Sequence, residues 1–595
     1  GLMGMRACQN RSDQAPTSPR PGRAEDPATS DKRRATVTWS LVAGFLTAAL
    51  CGVVAAQEGT IGGYPPDEAL KLGERMYREG LLPSGEPMRA FVSEDIEVDG
   101  TMFSCESCHL RSGMGSVEGT VITYPTCGSW LFKPLQGAEM KPESQERVPD
   151  RLDPPPFRPA YTDSSLSRAI RLGRDPNGRT LNYVMPRYAL SSADMEVLIH
   201  YLKNLSAEFS PGVDETTLRF ATVVSHDVDP ADREAMVATL EAHVRDHNSQ
   251  TRHEERRARG GPFYKEEKYA PYRRYALSVW QLDGGPETWG EQLEEHYREE
   301  PVFALLAGLT SGEWEPIHEF CERNRIPNLF PLTGYPVISD SDWYTLYLDK
   351  GFYKEGETAA RYIRRSEAIP AEAPVVQVFR DEPSARMCVR GFTEARSKMR
   401  RAAAPTNVEL GTDKPVDAGL WRRLVAEHPG AVLALWLGEE DLATLGELAA
   451  TDPRPPAVFV SASLLGEGLD SLAKEARPFT YITHPTSFPA DEVRTRMAVE
   501  RWLQARKVPA TNFDLQSKIY FLGWTLAGMV KMMRDDFYRD YFFDIADMMR
   551  DQYYSIAVYP RLSFGPGQRY ASKGCYVVQL TGEGTLEKVS NWVVH

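Results

Sequence analysis

Cys105-Glu106-Ser107-Cys108-His109 is the stretch of this chain whose residue types and spacing most plainly specify chemistry. Two thiols two residues apart, with histidine directly after the second, form the attachment pattern of a c-type haem. Each thiol adds across one porphyrin vinyl group, and the next residue is placed under the iron as an axial ligand. The same five residues can be read as a zinc knuckle or a redox pair. A structural zinc site needs a second pair of Cys or His at ligand spacing, and none follows. A thioredoxin-like pair needs a βαβ setting, which the flanking pattern does not supply. Met185 is the candidate for the opposite axial position, in Leu181-Asn-Tyr-Val-Met-Pro-Arg-Tyr188. A sulfur ligand must come from a rigid extended loop, and Pro186 supplies the rigidity. His/Met ligation raises the iron potential and fills the sixth position, which suits electron transfer. Met102, Met114, Met140 and Met195 compete, but none precedes proline in a loop directly before a terminal helix.

Three helices must hold these donors. One is expected over residues 67–79, after Pro65-Pro66 and before Gly80, with Leu70, Gly73 and Tyr77 on one face. A short one is expected over 164–172, before the turn Asp175-Pro-Asn-Gly-Arg179. The last begins near Ser191 or Ser192, where Ser191-x-x-Asp194 is like a capping box, and carries the stripe Met195, Leu198, Leu202, Leu205. Residues 120–159 are Pro-rich and loop-like. Gly-Glu-Arg-Met-Tyr-Arg-Glu-Gly at 73–80, the Cys105–His109 motif, Asp175–Arg179 and Met185–Tyr188 together resemble the class I cytochrome c domains, in particular those that serve periplasmic quinoprotein dehydrogenases. The resemblance covers 65–206 and implies an all-α cytochrome fold over 57–210, with one covalent haem c. It implies attachment through Cys105 and Cys108, and iron held by His109 and Met185.

Composition is that of an ordinary globular protein, 42% hydrophobic and 26% charged, with a net charge of −14. That charge argues against nucleic acid as a partner. The basic run Arg252–Arg259 is expected to be a solvated loop. Residues 1–56 are read as a leader: a long polar extension, Arg33-Arg34, an apolar run over 37–56 and the small-x-small ending Val54-Ala55-Ala56. An uncleaved anchor is the alternative, and lipidation at Cys51 is disfavoured by Leu50 before it. Export to the periplasm and covalent haem support one another. Cys8 and Cys51 fall in the leader. Cys127, Cys321, Cys388 and Cys575 are scattered, which fits buried free thiols or one or two bridges, not a disulfide framework.

After a short linker over 206–215, the pattern changes to alternating strands and helices. Strands are expected over 218–225, 275–281, 302–307 and 327–330, with helices over 230–246, 289–298 and 315–323 between or after them. A second series begins with strands over 374–379, 432–436 and 457–460, continues with helices over 490–505 and 515–534, and ends in a strand over 575–580. Alternation of this kind argues for parallel sheets with helices on both faces. Two series argue for two α/β lobes about a cleft, with ligand outside the carboxyl ends of the strands.

Residues 302–316, 324–333, 351–362 and 559–568 resemble the type 1 periplasmic binding proteins, the branched-chain amino acid receptor branch in particular. This implies an α/β two-lobed domain over 216–595. Lobe 1 would be mainly 216–370 plus helices near 490–545, and lobe 2 mainly 374–485 and 555–595. By the same resemblance Ser311 and Gly312 face a ligand carboxylate, Leu332 and Thr333 form a second contact loop, and Asp441 pairs with a ligand ammonium. Ser225-His-Asp-Val-Asp229 and Asp381-Glu-Pro-Ser-Ala385 depart from the family's loops, so the cleft is expected either to take a different ligand or to have become a docking surface.

No H-E-x-x-H, P-loop or G-x-G-x-x-G junction is present. Gly308-Leu-Thr-Ser-Gly312 has the wrong order for a nucleophile elbow, and His243 with His247 is read as part of a solvated helix face rather than a metal site. The chain is expected to be no enzyme but an exported electron-transfer or binding protein. Its expected partners are a redox protein (a quinoprotein dehydrogenase or a terminal oxidase) and a small-molecule ligand; a membrane enters only if the leader is retained. The alternative is a solute-binding or sensing protein with an accessory haem domain.

Overall fold

The structure is a computed structural model that describes residues 59–93, 95–118, 121–135, 157–258, 273–370, 372–411 and 414–594. The expected leader, Met140 and most of the Pro-rich stretch lie outside the described residues.

The first module carries α1 (Pro66–Glu79), β1 (Arg89–Val92), β2 (Ile96–Asp99), α2 (Glu106–His109), β3 (Val117–Glu118), β4 (Val121–Ile122), α3 (Gly128–Leu131), α4 (Asp163–Leu172), β5 (Arg187–Tyr188) and α5 (Ser192–Asn204). The expected helices form. Thr162 and Ser165 make a reciprocal cap on α4, and the Ser191 side chain accepts from the Asp194 amide on α5. Helix α1 crosses α5 at Gly73, where a Cβ would lie 2.5 Å from the Cβ of Tyr201. Only glycine allows that approach. The module is not all-α: β2, β1 and β5 form an antiparallel sheet, with Ala90 opposite Val98 and Tyr188. The alternation in Arg-Ala-Phe-Val and Ile-Glu-Val-Asp is the physical reason.

Lobe 1 contains β6 (Thr217–Ser225), α6 (Pro230–Ala258), β7 (Arg274–Leu282), α7 (Pro286–Glu299), β8 (Ala304–Leu306), α8 (Glu315–Asn324), β9 (Asn328–Leu329) and β10 (Thr345–Leu346). The chain continues through α9 (Gly351–Arg365), β11 (Val375–Arg380), α10 (Pro383–Ser397), β12 (Thr406–Leu410), α11 (Ala418–Glu427), β13 (Val432–Trp436), α12 (Glu439–Leu442), β14 (Val458–Ser461), α13 (Ala462–Leu465) and β15 (Thr480–His484) in lobe 2. It then enters α14 (Val493–Ala505), α15 (Phe513–Met533) and α16 (Arg539–Met548), and ends with β16 (Tyr553–Tyr554), β17 (Leu562–Ser563), β18 (Gly574–Leu580), β19 (Leu586–Lys588) and β20 (Val593–Val594).

The lobe 1 sheet runs β10-β9-β8-β6-β7, all parallel. The lobe 2 sheet runs β12-β11-β13-β14-β15 in parallel, extended by antiparallel β18 and β19. Counted in chain order, each parallel set is 2-1-3-4-5, a doubly wound arrangement. Side-chain alternation explains the two covered faces. In β6, Phe220 and Val224 join the core with α6 and α15, while Ala221 and Val223 face Trp289 and Phe320 on α7 and α8. In β11, Val376 and Val378 face one cluster, and Val375 and Phe379 the other.

Four expectations change. Residues 556–571, expected in lobe 2, join the lobe 1 core, where Ile556, Val558, Tyr559, Leu562, Phe564 and Ala571 pack with α15 and α16. Helix α6 runs on to Ala258, so the basic run is helical over 252–258 rather than a loop. Helix α9 belongs to lobe 2, because Ala359, Ala360 and Ile363 share a core with Cys388 and Phe392 of α10. The residues over 206–215 are pinned: Ser210 N donates to Phe537 O, and the Phe209 ring packs on Phe537. Cys127, Cys321, Cys388 and Cys575 are buried free thiols, as one reading expected.

Candidate functional site

In the first module Cys105, Cys108 and His109 share one short turn. His109 closes the short helix α2, and its Nδ1 lies 2.9 Å from the carbonyl oxygen of Tyr124. That nitrogen therefore carries the proton and donates, which leaves the lone pair on Nε2. Burial, only partly opposed by the Tyr124 hydrogen bond, pushes the ring's basicity down to about 4, so it is neutral. Cys105 and Cys108 are half-buried free thiols on the same turn. Tyr188, three residues after Met185, donates from its hydroxyl to Phe103 O at 2.6 Å, two residues before Cys105. The strand that follows Met185 is thus tied to the attachment segment. Met185 is half-buried and Pro186 buried. Among the competitors, Met195 is core on α5 and the Met114 sulfur lies 3.6 Å from the Cys127 thiol. Two thiols and one imidazole on a single turn, with a thioether before a strand tied to that segment, are donor types that haem c uses.

Sequence reasoning missed the clamp on this segment. Helix α16 places Asp540 and Asp544 one turn apart against it. Asp540 pairs with Arg78 at 2.9 Å, and Asp544 accepts the Ser112 amide at 2.9 Å and the Arg111 amide at 3.3 Å. Burial raises Asp544 to about 7. Trp130 donates to Asp536 at 3.2 Å, and Arg325 pairs with Glu74 at 2.8 Å. The residues directly after Cys105–His109 are therefore held by lobe 1. Nothing in the local pattern of α16 announces this, because its partner is more than four hundred residues away in sequence.

The expected ligand residues of lobe 1 also converge. Ser311 and Gly312 follow β8, and Leu332 and Thr333 follow β9. The loops are paired, with Leu332 N donating to Gly308 O at 3.0 Å. Their chemistry differs from the expectation. The Ser311 hydroxyl donates to Asp227, whose other oxygen accepts from Ser225 at 2.7 Å. Those two hydroxyls hold Asp227 below the usual carboxylate range, so the loop presents an anion where a ligand carboxylate was expected. Asp441, expected to take a ligand ammonium, is instead held by both arms of Arg380, at 2.8 and 2.6 Å. Further acids lie close: the Tyr335 phenol is raised by burial, against a hydrogen bond from Ser384, and additionally by Glu382 of lobe 2 and Glu313 of lobe 1.

Three chain crossings join the lobes and are tied together. Asp349 accepts from Lys354 Nζ at 2.9 Å and from the Tyr559 hydroxyl at 2.6 Å, and Ser487 N donates to Val558 O at 2.7 Å. The two histidines read as a solvated face are packed: His243 stacks on Trp502, and His247 stacks on Tyr275 and bonds Arg273 O at 2.9 Å. Among the described residues no group of three or more metal-binding side chains gathers, and no helix is long and apolar enough to cross a membrane.

No family model matches the chain, and no curated protein matches it. Solved structures do. A substrate-binding protein of an ABC transporter from Aeropyrum pernix is 10% identical over 64% of this chain and 97% of its own, with a TM-score of 0.45. A branched-chain amino acid ABC transporter structure from Thermus thermophilus with bound valine is 13% identical over 64% and 97%, at 0.43. A fatty acid ABC transporter substrate-binding protein from Thermomonospora curvata is 15% identical over 65% and 95%, at 0.40. The fold class rests on the chain's own strand order: two doubly wound lobes joined by three crossings, with a mainly helical module clamped to the first.

Proposed function

We propose that this protein is an exported solute-binding protein of the type 1 periplasmic class that carries one accessory haem c. The observation that supports it is the pair of 2-1-3-4-5 sheets joined by three crossings, with the Ser311 and Leu332 loops paired at the carboxyl ends of adjacent strands. Ligands of open α/β sheets bind there. The ligand is a small amine without a carboxylate. Asp227 supplies a permanent anion beside Ser311, so a carboxylate group would meet like charge, and Asp441 is already neutralised by Arg380.

The haem would be attached through Cys105 and Cys108 and held by His109 and Met185. When bound, it supplies one-electron redox chemistry. The chain's contribution is to fix the imidazole through Tyr124 and to hold the segment on lobe 1 through Asp544. The second reading is electron transfer with a dehydrogenase, in which the two-lobed part serves for docking. The exposed Asp227 at the cleft loop, which departs from a carboxylate-binding loop, is what would favour it.

A thermal-shift panel of amines, amino acids and carboxylates on the haem-loaded protein separates these readings. Stabilisation by amines that Asp227→Asn abolishes supports the first. Stabilisation by a free amino acid that survives Asp227→Asn sinks the assigned ligand class. No stabilisation, with fast haem reduction by a dehydrogenase, favours the second.

A further inference from the structure

A pocket of ≈ 410 Å³, lined by polar and apolar side chains alike, lies apart from the Ser311 and Leu332 loops. It takes walls from both lobes: Arg550 and Tyr553 follow α16, Arg561 precedes β17, Lys573 precedes β18, and Trp592 lies beside β20. Its cations are poorly balanced. Lys573 Nζ donates to the carbonyl and hydroxyl oxygens of Ser563, at 2.8 and 2.7 Å, both neutral, and an ammonium has a third proton to donate. The Arg561 guanidinium lies 3.9 Å over the Tyr553 ring. Among the described residues neither has a carboxylate within ion-pair distance. Arg550 has Glu118 at 3.5 Å, a pair exposed on both sides and worth little. Burial, and then Arg561, lower the Lys573 ammonium to about 8. Cations side by side repel one another, and an anion that joins them relieves that repulsion.

We propose that this cavity is a binding site for a small organic anion with a flat apolar body. The charged group sits on Lys573 and Arg561, and the body lies against Trp592 and Tyr553. A charge-assisted pair of this kind is the strong form of hydrogen bond, and arginine's fork suits an oxyanion. Because the walls come from both lobes, an anion seated here favours the lobe arrangement in which Arg561 and Trp592 face one another. The site is independent of the amine site.

Phenyl phosphate, phenylacetate and inorganic phosphate are titrated into the full haem-loaded chain, followed by calorimetry and tryptophan fluorescence. Phenyl phosphate or phenylacetate is expected to bind at least tenfold more tightly than inorganic phosphate, and to weaken as pH rises through 8. Lys573→Met and Arg561→Gln should each weaken it at least tenfold, Lys573→Arg should restore much of it, and Asp227→Asn should leave it unchanged. Arg561 is exposed, so its variant decides the matter if Lys573→Met fails to fold. Absence of binding at ~10 mM, equal binding by neutral phenol, or binding indifferent to Arg561→Gln overturns the proposal; loss with Asp227→Asn instead places these ligands in the cleft.

Discussion

Lys354→Met tests the knot that joins the lobe crossings. Lys354 is fully buried on α9, with its ammonium 2.9 Å from Asp349 Oδ2. Burial alone would push Asp349 up, but Lys354 and Lys518 outweigh it and hold the carboxyl at about 2. Removing one partner of a buried pair leaves the other charge uncompensated, at a cost of about 3–5 kcal/mol. Lys518 stays behind as a counter-charge and the Tyr559 hydroxyl still donates, which sets the expectation at the lower end, about 3 kcal/mol. The assay is urea unfolding at pH 7, followed by far-UV circular dichroism, with Asp349→Asn and the double variant completing a cycle. The double variant should recover more than half of the loss, since neither charge is then stranded. Sign and window follow from the depressed carboxyl: the contribution is present above about pH 4 and is lost as pH falls toward 2. If Lys354→Met costs under about 1 kcal/mol, or the double variant is worse than the sum of the singles, the reasoning about the knot is wrong.

Other consequences are as direct. Asp544 has its carboxyl raised to about 7, so the native state binds a proton the unfolded chain has lost; stability should fall as pH rises from about 4 to 7, and Asp544→Asn should flatten that fall in pH-dependent unfolding. A variant as pH-dependent as the parent would contradict the assignment. Gly356→Ala sets a Cβ 1.9 Å from the carbonyl oxygen of Cys388, backbone that cannot swing aside, so α9 and α10 must part; a loss of at least ~1–3 kcal/mol is expected in thermal unfolding, and a neutral result would refute the close packing. Met185→Ala should remove the sulfur-to-iron charge-transfer band of the haem-loaded protein, and its persistence would assign the sixth ligand to another residue.

Local chemistry wrote much of this fold into the sequence. Capping at Ser191, the proline before α1 and the glycine after it marked helices that formed within a residue or two. The apolar runs of β6, β11 and β13 are covered on both faces, which made them legible as parallel strands. The misses have a common cause. Helix α9 was assigned to the wrong lobe because what claims it is a close approach to α10 at Gly356 and Gly391, a fact of three dimensions. The Cys105–His109 motif was readable as a candidate site because its residues are few, specific and adjacent in sequence. The cleft was read only through resemblance, and its substitutions decide its chemistry: Asp227 turns the Ser311 loop anionic, and Arg380 takes Asp441. Neither partner could be matched to its residue from spacing, because each arrives from another strand end.

The central claim is that the lobes close on a small amine while the haem module rides on lobe 1. Small-angle scattering of the haem-loaded protein, with and without the best amine from the panel, measures this most directly. The account predicts a smaller radius of gyration with ligand, in the parent and not in Asp227→Asn. An unchanged radius with every amine, alongside tight association with a dehydrogenase that reduces the haem, would contradict it.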